Sequence, residues 1–267
     1  MGDITIAQII LSIFSGIIVA FSLGLIGGGG SILAVPLLLY LVGFKEAHLV
    51  IGTTSLAVAA SAFMDFVMHL RQGHVWWRTA SIFAVFGSGG AFAGSVLGKA
   101  LNGSKLLFLF AILMLVVAFV MLRPRSKAVE DVNKKEPRSV GKRPLLLTIL
   151  IGLGTGALSG FFGIGGGFLI VPGLMMASGM SMLSAVGSSL LSVTAFGLTT
   201  TISYATAGLV DWGVAGLFIA GGLIGGYGGE KLSVYLGEKS VKYLRYIYAA
   251  VIIAVAIYMI YKNITAF

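Results

Sequence analysis

The sequence predicts an all-α polytopic membrane protein built from two homologous halves, and three observations support this fold class. The 267-residue chain is 58% hydrophobic and only 10% charged, whereas soluble domains carry about 25% charged residues. Residues 4–44 and 144–210 contain no Asp, Glu, Lys or Arg, and a spanning helix needs only about 20 apolar residues. The stretch GLIGGGGSILAVP at 24–36 recurs as GFFGIGGGFLIVP at 160–172, which indicates an internal duplication.

The duplication continues beyond these glycine motifs. GTTSLAV at 52–58 corresponds to GSSLLSV at 187–193, RQGHVWW at 71–77 to TAGLVDW at 206–212, and GAFAGSVLGKAL at 90–101 to GLIGGYGGEKLS at 221–232. Because the matched blocks keep their order, we divide the chain into a first repeat at 1–122, a basic linker at 123–143 and a second repeat at 144–267.

Each repeat divides into about five hydrophobic segments. They lie at 4–26, 30–43, 47–69, 79–99 and 105–122 in the first repeat, and at 144–162, 166–178, 182–206, 213–230 and 241–262 in the second. The second segment of each half is short. It therefore either crosses the membrane as a short segment or forms a half-helix paired with the end of the first.

The basic residues discriminate between these two arrangements. Eight of the 18 Lys and Arg lie in the linker. If every segment crosses, the halves are inverted repeats, and a cytoplasmic linker leaves only Lys45, Lys99, Lys105 and Lys262 outside. If the short segments do not cross, the halves are parallel and seven basic residues lie outside. The positive-inside rule therefore favours inverted repeats with both termini outside, and it predicts a cytoplasmic linker in either arrangement.

Composition also excludes several functions. The net charge is +9, but eight of the 18 basic residues lie in the linker, which indicates membrane topology rather than nucleic-acid binding. The chain has no cysteine, and His48 and His74 have no carboxylate or histidine partner at metal-ligand spacing, so we expect no metal, no cofactor and no enzymatic activity. We read the N-terminus as a retained helix rather than a cleaved signal peptide. The expected location is a bacterial or archaeal plasma membrane, and the sequence leaves a homo-oligomer open.

The glycine motifs form the predicted binding site. Unwound backbone is tolerated at membrane depth only where protein or a water-filled cavity satisfies it. A half-helix that begins near Gly30 or Gly166 would direct free N–H groups and a positive dipole end into such a cavity. Two such ends near the midplane favour an anion. Glycines at four-residue spacing are instead predicted to allow close helix packing; they are Gly90, Gly94, Gly98, Gly221, Gly225 and Gly229.

Hydroxyl and ionisable side chains supply further candidates. Thr53, Thr54 and Ser55 correspond to the region of Ser188 and Ser189. These hydroxyls either donate to the oxygens of a bound oxyanion or make ordinary bonds to the backbone and neighbouring helices.

An ionisable residue within a membrane segment is a functional candidate. Asp65 and His69, one helical turn apart, are either a proton-coupling pair or a structural pair near Arg71.

Together, these blocks resemble the TauE/SafE family of sulfite exporters. The resemblance rests on the glycine motifs that end in Pro36 and Pro172, on the GTTSL stretch, and on G-x-x-x-W at 73–77 and 208–212. It implies a secondary transporter, an exporter of a small sulfur-containing anion such as sulfite or an organosulfonate. An anion-selective channel and a non-transporting membrane scaffold are the alternatives. The resemblance implies a substrate-binding role for Gly27, Gly28, Gly29, Gly30, Ser31, Thr53, Thr54, Ser55, Gly163, Gly165, Gly166, Gly167, Ser188 and Ser189.

Overall fold

The regular structure of the chain is helical throughout the residues that the computed structural model describes, namely 5–26, 28–71, 75–122, 142–180 and 182–264. The α-helices are α1 Ile6–Ile26, α2 Ala34–Pro36, α3 Ala47–Arg71, α4 Trp77–Ala100, α5 Gly103–Leu122, α6 Lys142–Phe162, α7 Gly167–Ser178, α8 Met182–Ala205 and α9 Trp212–Asn263. A 3-10 helix at Gly28–Leu33 precedes α2, and a π-helical turn at Leu37–Leu41 follows it.

Eight helical stretches of the described residues are long and apolar enough to cross a membrane. They are Ile6–Gly24, Ala47–Val67, Trp77–Ala100, Gly103–Leu122, Leu145–Phe162, Ser184–Ala205, Trp212–Gly229 and Tyr246–Asn263. Two shorter apolar helices, Gly30–Leu41 and Leu169–Ser178, coincide with the short second segments of the two halves. The prediction of an all-helical polytopic membrane protein is therefore confirmed.

The last two predicted segments are joined differently from the expectation. We expected a break near 231–240, whereas α9 is helical over all 52 residues, about 78 Å if straight. Its two spans nevertheless run in opposite directions. The first lies parallel to α1. In the second span, Tyr248 bonds to Gly30 and Asn263 bonds to Tyr40, so this span runs in the same direction as residues 28–41. Those residues run back along α1 and contact it. The chain therefore turns back between residues 229 and 246 while its backbone stays helical.

Glycine contacts fix the directions of two close helix pairs. Gly221, Gly225 and Gly229 of α9 lie on the backbone of Ile13, Ile17 and Phe21 of α1, so these helices run parallel. Gly94 and Gly98 of α4 lie in the same way on the backbone of Ala157 and Phe161 of α6. Glycine at these positions lets the two backbones touch, which confirms the packing role predicted for both glycine series.

The central pair, α3 and α8, packs antiparallel. Gly197 of α8 lies on the backbone of Ser55 and on Ala59 of α3, and Thr201, one turn further along α8, bonds to Ser55. The helix α8 runs parallel to α4, since Gly87 lies against Phe196 and Gly98 near the hydroxyl of Tyr204. The helix α3 runs parallel to the first span of α9, where Gly222 lies near Ser61 and Gly226 near Asp65.

These directions define what the two short segments do. Both α1 and α3 run parallel to the first span of α9, so residues 28–41 must bring the chain back across the molecule between them. Likewise α6 and α8 both run parallel to α4, and α7 returns the chain between them. Each short segment thus lies beside the central α3–α8 pair.

Candidate anion-binding site

The second glycine motif interrupts the helical path between α6 and α7. Gly163, Gly165 and Gly166 have φ angles of 68°, 67° and 68°, in the left-handed region that side chains other than glycine rarely adopt. Gly166 is the N-cap of α7. Its carbonyl accepts from the backbone N–H groups of Leu169 and Ile170 at 2.9 and 3.1 Å, which starts the new helix.

This interruption lies near the middle of the membrane-spanning region. A methyl group at Gly165 would lie 2.9 Å from side-chain carbons of both Val58 and Val193, which are near the midpoints of α3 and α8. The first N–H groups of an α-helix have no acceptor within the helix. The N-terminal end of α7, with its partial positive charge, is therefore at mid-depth.

The first glycine motif packs against the helix that begins at the second motif. Gly27 lies outside the described residues, and Gly28 and Gly29 are described by their backbone alone, in the 3-10 helix. This 3-10 helix packs directly against α7. Ser31 is completely buried within it and makes an interaction with the rest of the chain. This packing brings the first motif against α7, as a binding site shared by the two motifs requires.

Gly30 and Gly166 at this junction also have structural roles. A methyl group at Gly30 would collide with the backbone of Ser22 and Leu23. The carbonyl oxygen of Gly30 also accepts a hydrogen bond from the Tyr248 hydroxyl at 2.9 Å. A larger residue at Gly30 or Gly166 would therefore disturb the fold as well as any ligand, so such variants do not isolate binding.

Thr53 and Ser188 occupy equivalent positions and make equivalent bonds. The Thr53 hydroxyl accepts from the backbone N–H of Asp211 at 3.0 Å, directly before α9. The Ser188 hydroxyl accepts from the backbone N–H of Trp76 at 3.0 Å, directly before α4. Thr53 also donates to Leu49 at 2.7 Å. These hydroxyls thus hold the starts of the fourth helices of the opposite halves.

The other predicted hydroxyls donate within their own helices. Thr54 donates to the Val50 carbonyl at 2.8 Å, Ser55 to Gly52 at 2.9 Å and Ser189 to Val186 at 2.7 Å. An anion could use these donors only after each hydroxyl rotated away from its backbone acceptor.

The structure adds a serine that the sequence did not single out. Ser159, in the last turn of α6, is completely buried, and its hydroxyl has no hydrogen-bond partner within the described residues. A methyl group at Gly166 would lie 3.2 Å from this hydroxyl oxygen, so the serine faces the N-terminus of α7. A buried polar group left without a partner costs about 1–3 kcal/mol, and a bound anion would supply the missing acceptor.

The predicted coupling pair lies at a different interface. Asp65 faces α9, where a methyl group at Gly226 would lie 3.4 Å from its Oδ1 atom. Asp65 and His69 are both partly buried, and both interact with other groups. The described residues contain no cluster of three His, Cys, Asp or Glu that could hold a metal ion.

The apolar spans and the broken helices at mid-depth define a polytopic helical membrane protein. Residues 12–259 match the family described as sulfite exporter TauE/SafE, and the chain belongs to this family. It is similar to a "probable membrane transporter protein" of Xylella fastidiosa (strain Temecula1), with 47% identity over 97% of each chain.

More distant relatives span a wider range of organisms. The chain is 25% identical to "probable membrane transporter protein YunE" of Bacillus subtilis, over 62% of this chain and 67% of the relative. It is 28% identical to "probable membrane transporter protein MJ0441" of Methanocaldococcus jannaschii, over 60% and 61% of the two chains. No solved structure matches the chain significantly. The family and these relatives are membrane transporters rather than enzymes.

We predict that Thr53→Val destabilises the protein by about 1–2 kcal/mol, because it leaves the backbone N–H of Asp211 unpaired. Thr200→Val is the matched control, since this buried threonine bonds, among the described residues, to the Phe196 carbonyl of its own helix alone. Thermal unfolding of the purified variants in detergent measures the difference. An equal loss of stability in both would contradict the clamping role of Thr53.

Proposed function

We propose that this protein is a secondary transporter that exports a small sulfur-containing anion, such as sulfite or an organosulfonate. It works by alternating access between two inverted repeats. The observation that carries this proposal is the break of the second glycine motif at mid-depth, between α3 and α8, with the first motif packed against the helix that begins there. The description of the family as sulfite exporters supports the substrate class.

The inverted-repeat part of the proposal is supported by paired contacts. Thr53 and Ser188 are equivalent positions of the sequence repeat, and so are Trp76 and Asp211. Thr53 of the first half bonds to Asp211 of the second, and Ser188 of the second half bonds to Trp76 of the first. The equivalent helices α3 and α8 are antiparallel, as repeats related by an axis in the membrane plane require. We place the repeats at 1–122 and 144–267 and the linker, 123–143, in the cytoplasm on the charge argument. Residues 123–141 of this linker lie outside the described residues.

An anion fits this site better than a cation. The second motif lies in a stretch, 144–210, that has no Lys, Arg, Asp or Glu, so charge at the site must be balanced by dipoles and hydroxyl groups. Backbone N–H groups at a helix N-terminus bind oxyanions in this way. We assign substrate contact to the two motifs, Gly27–Ser31 and Gly163–Gly167, and to Ser159. Thr54, Ser55 and Ser189 join the site if they exchange their backbone acceptors for the anion.

Counterflow in proteoliposomes tests this function. Vesicles loaded with unlabelled sulfite should accumulate labelled sulfite faster than empty vesicles, because a carrier returns more rapidly when loaded. Vesicles without protein are the control. A channel would give uptake that internal sulfite never accelerates, and a scaffold would give no uptake above that of the protein-free vesicles; either result would contradict the carrier proposal.

Ser159→Ala should raise the KM for sulfite about fivefold, the effect of one neutral hydrogen bond, without lowering thermal stability. Ser12→Ala is the control, because Ser12 is also completely buried, with a hydroxyl that has no partner within the described residues. It lies on α1, beside the contact with α9. The assignment of Ser159 fails if the two variants have the same KM.

Asp65→Asn should abolish the acceleration of transport by a proton gradient if Asp65 and His69 carry the coupled proton. Glu46→Gln removes an exposed carboxylate just before α3 and should leave that acceleration intact. Transport rates measured with and without an imposed pH gradient provide the comparison. If the pH gradient still accelerates transport in Asp65→Asn, Asp65 has a structural role rather than a coupling role.

A further inference from the structure

We propose a second anion site, formed by Lys99, Tyr204 and His48 on the membrane face opposite the linker. There an oxyanion is held before or after it occupies the glycine motifs. The inference rests on the proposed function, because it adds a binding step to the same path. None of these three side chains belongs to the midplane site.

The three residues come together at one end of the central helices. Lys99 is in the last turn of α4, Tyr204 in the last turn of α8 and His48 in the first turn of α3. The next helix, α5, starts immediately after α4 and runs to Leu122, where the linker begins. The cluster is therefore at the face opposite the linker.

Lys99 supplies a positive charge, and no carboxylate of the described residues contacts it. Its ammonium group donates to the Ser203 carbonyl at 2.5 Å and lies 5.6 Å from the centre of the Tyr204 ring. An ammonium group has three N–H donors, so the bond to Ser203 leaves two for a ligand. The side chain is partly buried, where an ion pair with an anion is screened less than at an open surface.

Two buried polar atoms of this cluster, one on Tyr204 and one on His48, lack a hydrogen-bond partner within the described residues. The Tyr204 side chain is completely buried, and its hydroxyl has no partner within the described residues. The Nδ1 atom of His48 is buried and lacks a partner in the same part of the chain. The two rings are 6.4 Å apart. Buried polar groups are nearly always hydrogen-bonded, so a hydroxyl and a ring nitrogen without partners, on two neighbouring side chains, favour a ligand at this cluster.

The donor set selects the chemistry of the ligand. The ammonium group of Lys99 and the hydroxyl of Tyr204 both donate, and oxyanions accept. The Nε2 atom of His48 lies 3.1 Å from the Leu101 carbonyl, which can only accept, so a neutral ring leaves Nδ1 as an acceptor. An oxyanion that carries one hydrogen, such as hydrogen sulfite, can satisfy all three groups.

Hydroxyl groups lie on two faces of α8 between this cluster and the interior. Ser95, one turn before Lys99, donates to Ser203 at 2.7 Å on the face toward α4. Thr201 contacts Ser55 at 3.4 Å on the face toward α3. Val58, one turn further along α3, lies beside Gly165 of the midplane site.

Lys99 has a structural role that the experiment must separate from binding. The Ser203 carbonyl is in the last turn of α8, and a lysine there stabilises the C-terminal end of a helix. Lys99→Met removes both the capping contact and the charge. Tyr204→Phe removes only a hydroxyl that has no partner, and so does not disturb any hydrogen bond within the described residues.

Lys262 provides the matched control. Its ammonium group lies 5.2 Å from the Tyr40 ring, and it is assigned to the same membrane face. The Tyr40 hydroxyl, however, already accepts from Asn263 at 3.2 Å. Lys262→Met therefore removes the same charge from beside a tyrosine whose hydroxyl is satisfied.

The test measures sulfite binding in detergent and sulfite transport in proteoliposomes for the same variants. We expect Lys99→Met to weaken binding and raise the KM about tenfold, the effect of one charge-assisted hydrogen bond. Tyr204→Phe should raise the KM about fivefold, with unchanged thermal stability in the absence of sulfite. Lys99→Arg should retain most of the affinity, and Lys262→Met should match the wild type.

The proposal is overturned if Tyr204→Phe and Lys99→Met bind sulfite like the wild type. It is overturned equally if Lys262→Met raises the KM as much as Lys99→Met, since the effect would then be one of general surface charge. If instead the proposed transport function is wrong, the wild type will bind sulfite but show no counterflow in proteoliposomes. In that case the binding measurements on the Lys99 and Tyr204 variants still decide the second site.

Discussion

The architecture depends on one constraint: every backbone polar group at membrane depth must find a partner, either in the protein or in a water-filled cavity. The break between α6 and α7 meets much of this constraint with bonds of its own. The Gly163 N–H donates to the Ser159 carbonyl at 2.8 Å, and the Gly166 carbonyl starts the next helix. The left-handed glycines make these bonds possible, and Val58 and Val193 cover the break from the two central helices. An interrupted helix can therefore end in the middle of the protein without exposing its backbone to lipid.

The same constraint explains why hydroxyl groups concentrate on α3 and α8. Helix starts leave N–H groups without acceptors, and Thr53 and Ser188 supply acceptors to the starts of α9 and α4. Each central helix thereby holds the fourth helix of the other half. A movement of α3 relative to α8 would therefore carry the start of α9 with α3 and the start of α4 with α8.

The sequence predicted features that depend on local chemistry. Uncharged runs identified the helical spans, and consecutive glycines located the break at 163–166, because few other residues adopt that backbone. The four-residue glycine spacing correctly indicated close packing. The sequence could not identify Ser159 or Tyr204. They are candidates for binding because their buried hydroxyls have no hydrogen-bond partner among the described residues, and only the folded structure reveals this. Nor did the sequence predict the continuous helical backbone of α9, since the charged residues near 230–245 resemble those of an ordinary loop.

The distribution of charge along the proposed path has a physical rationale. A fixed lysine at the midplane would bind an anion tightly and would be costly to bury when the site is empty. Helix dipoles and hydroxyl groups bind more weakly and need no counter-ion, so an anion can leave as readily as it arrives. Lys99 lies near the membrane surface. Its ammonium group is stabilised without an anion by the bond to the Ser203 carbonyl and by the nearby Tyr204 ring. Placing the cation at the edge and dipoles at the centre thus attracts an anion without trapping it.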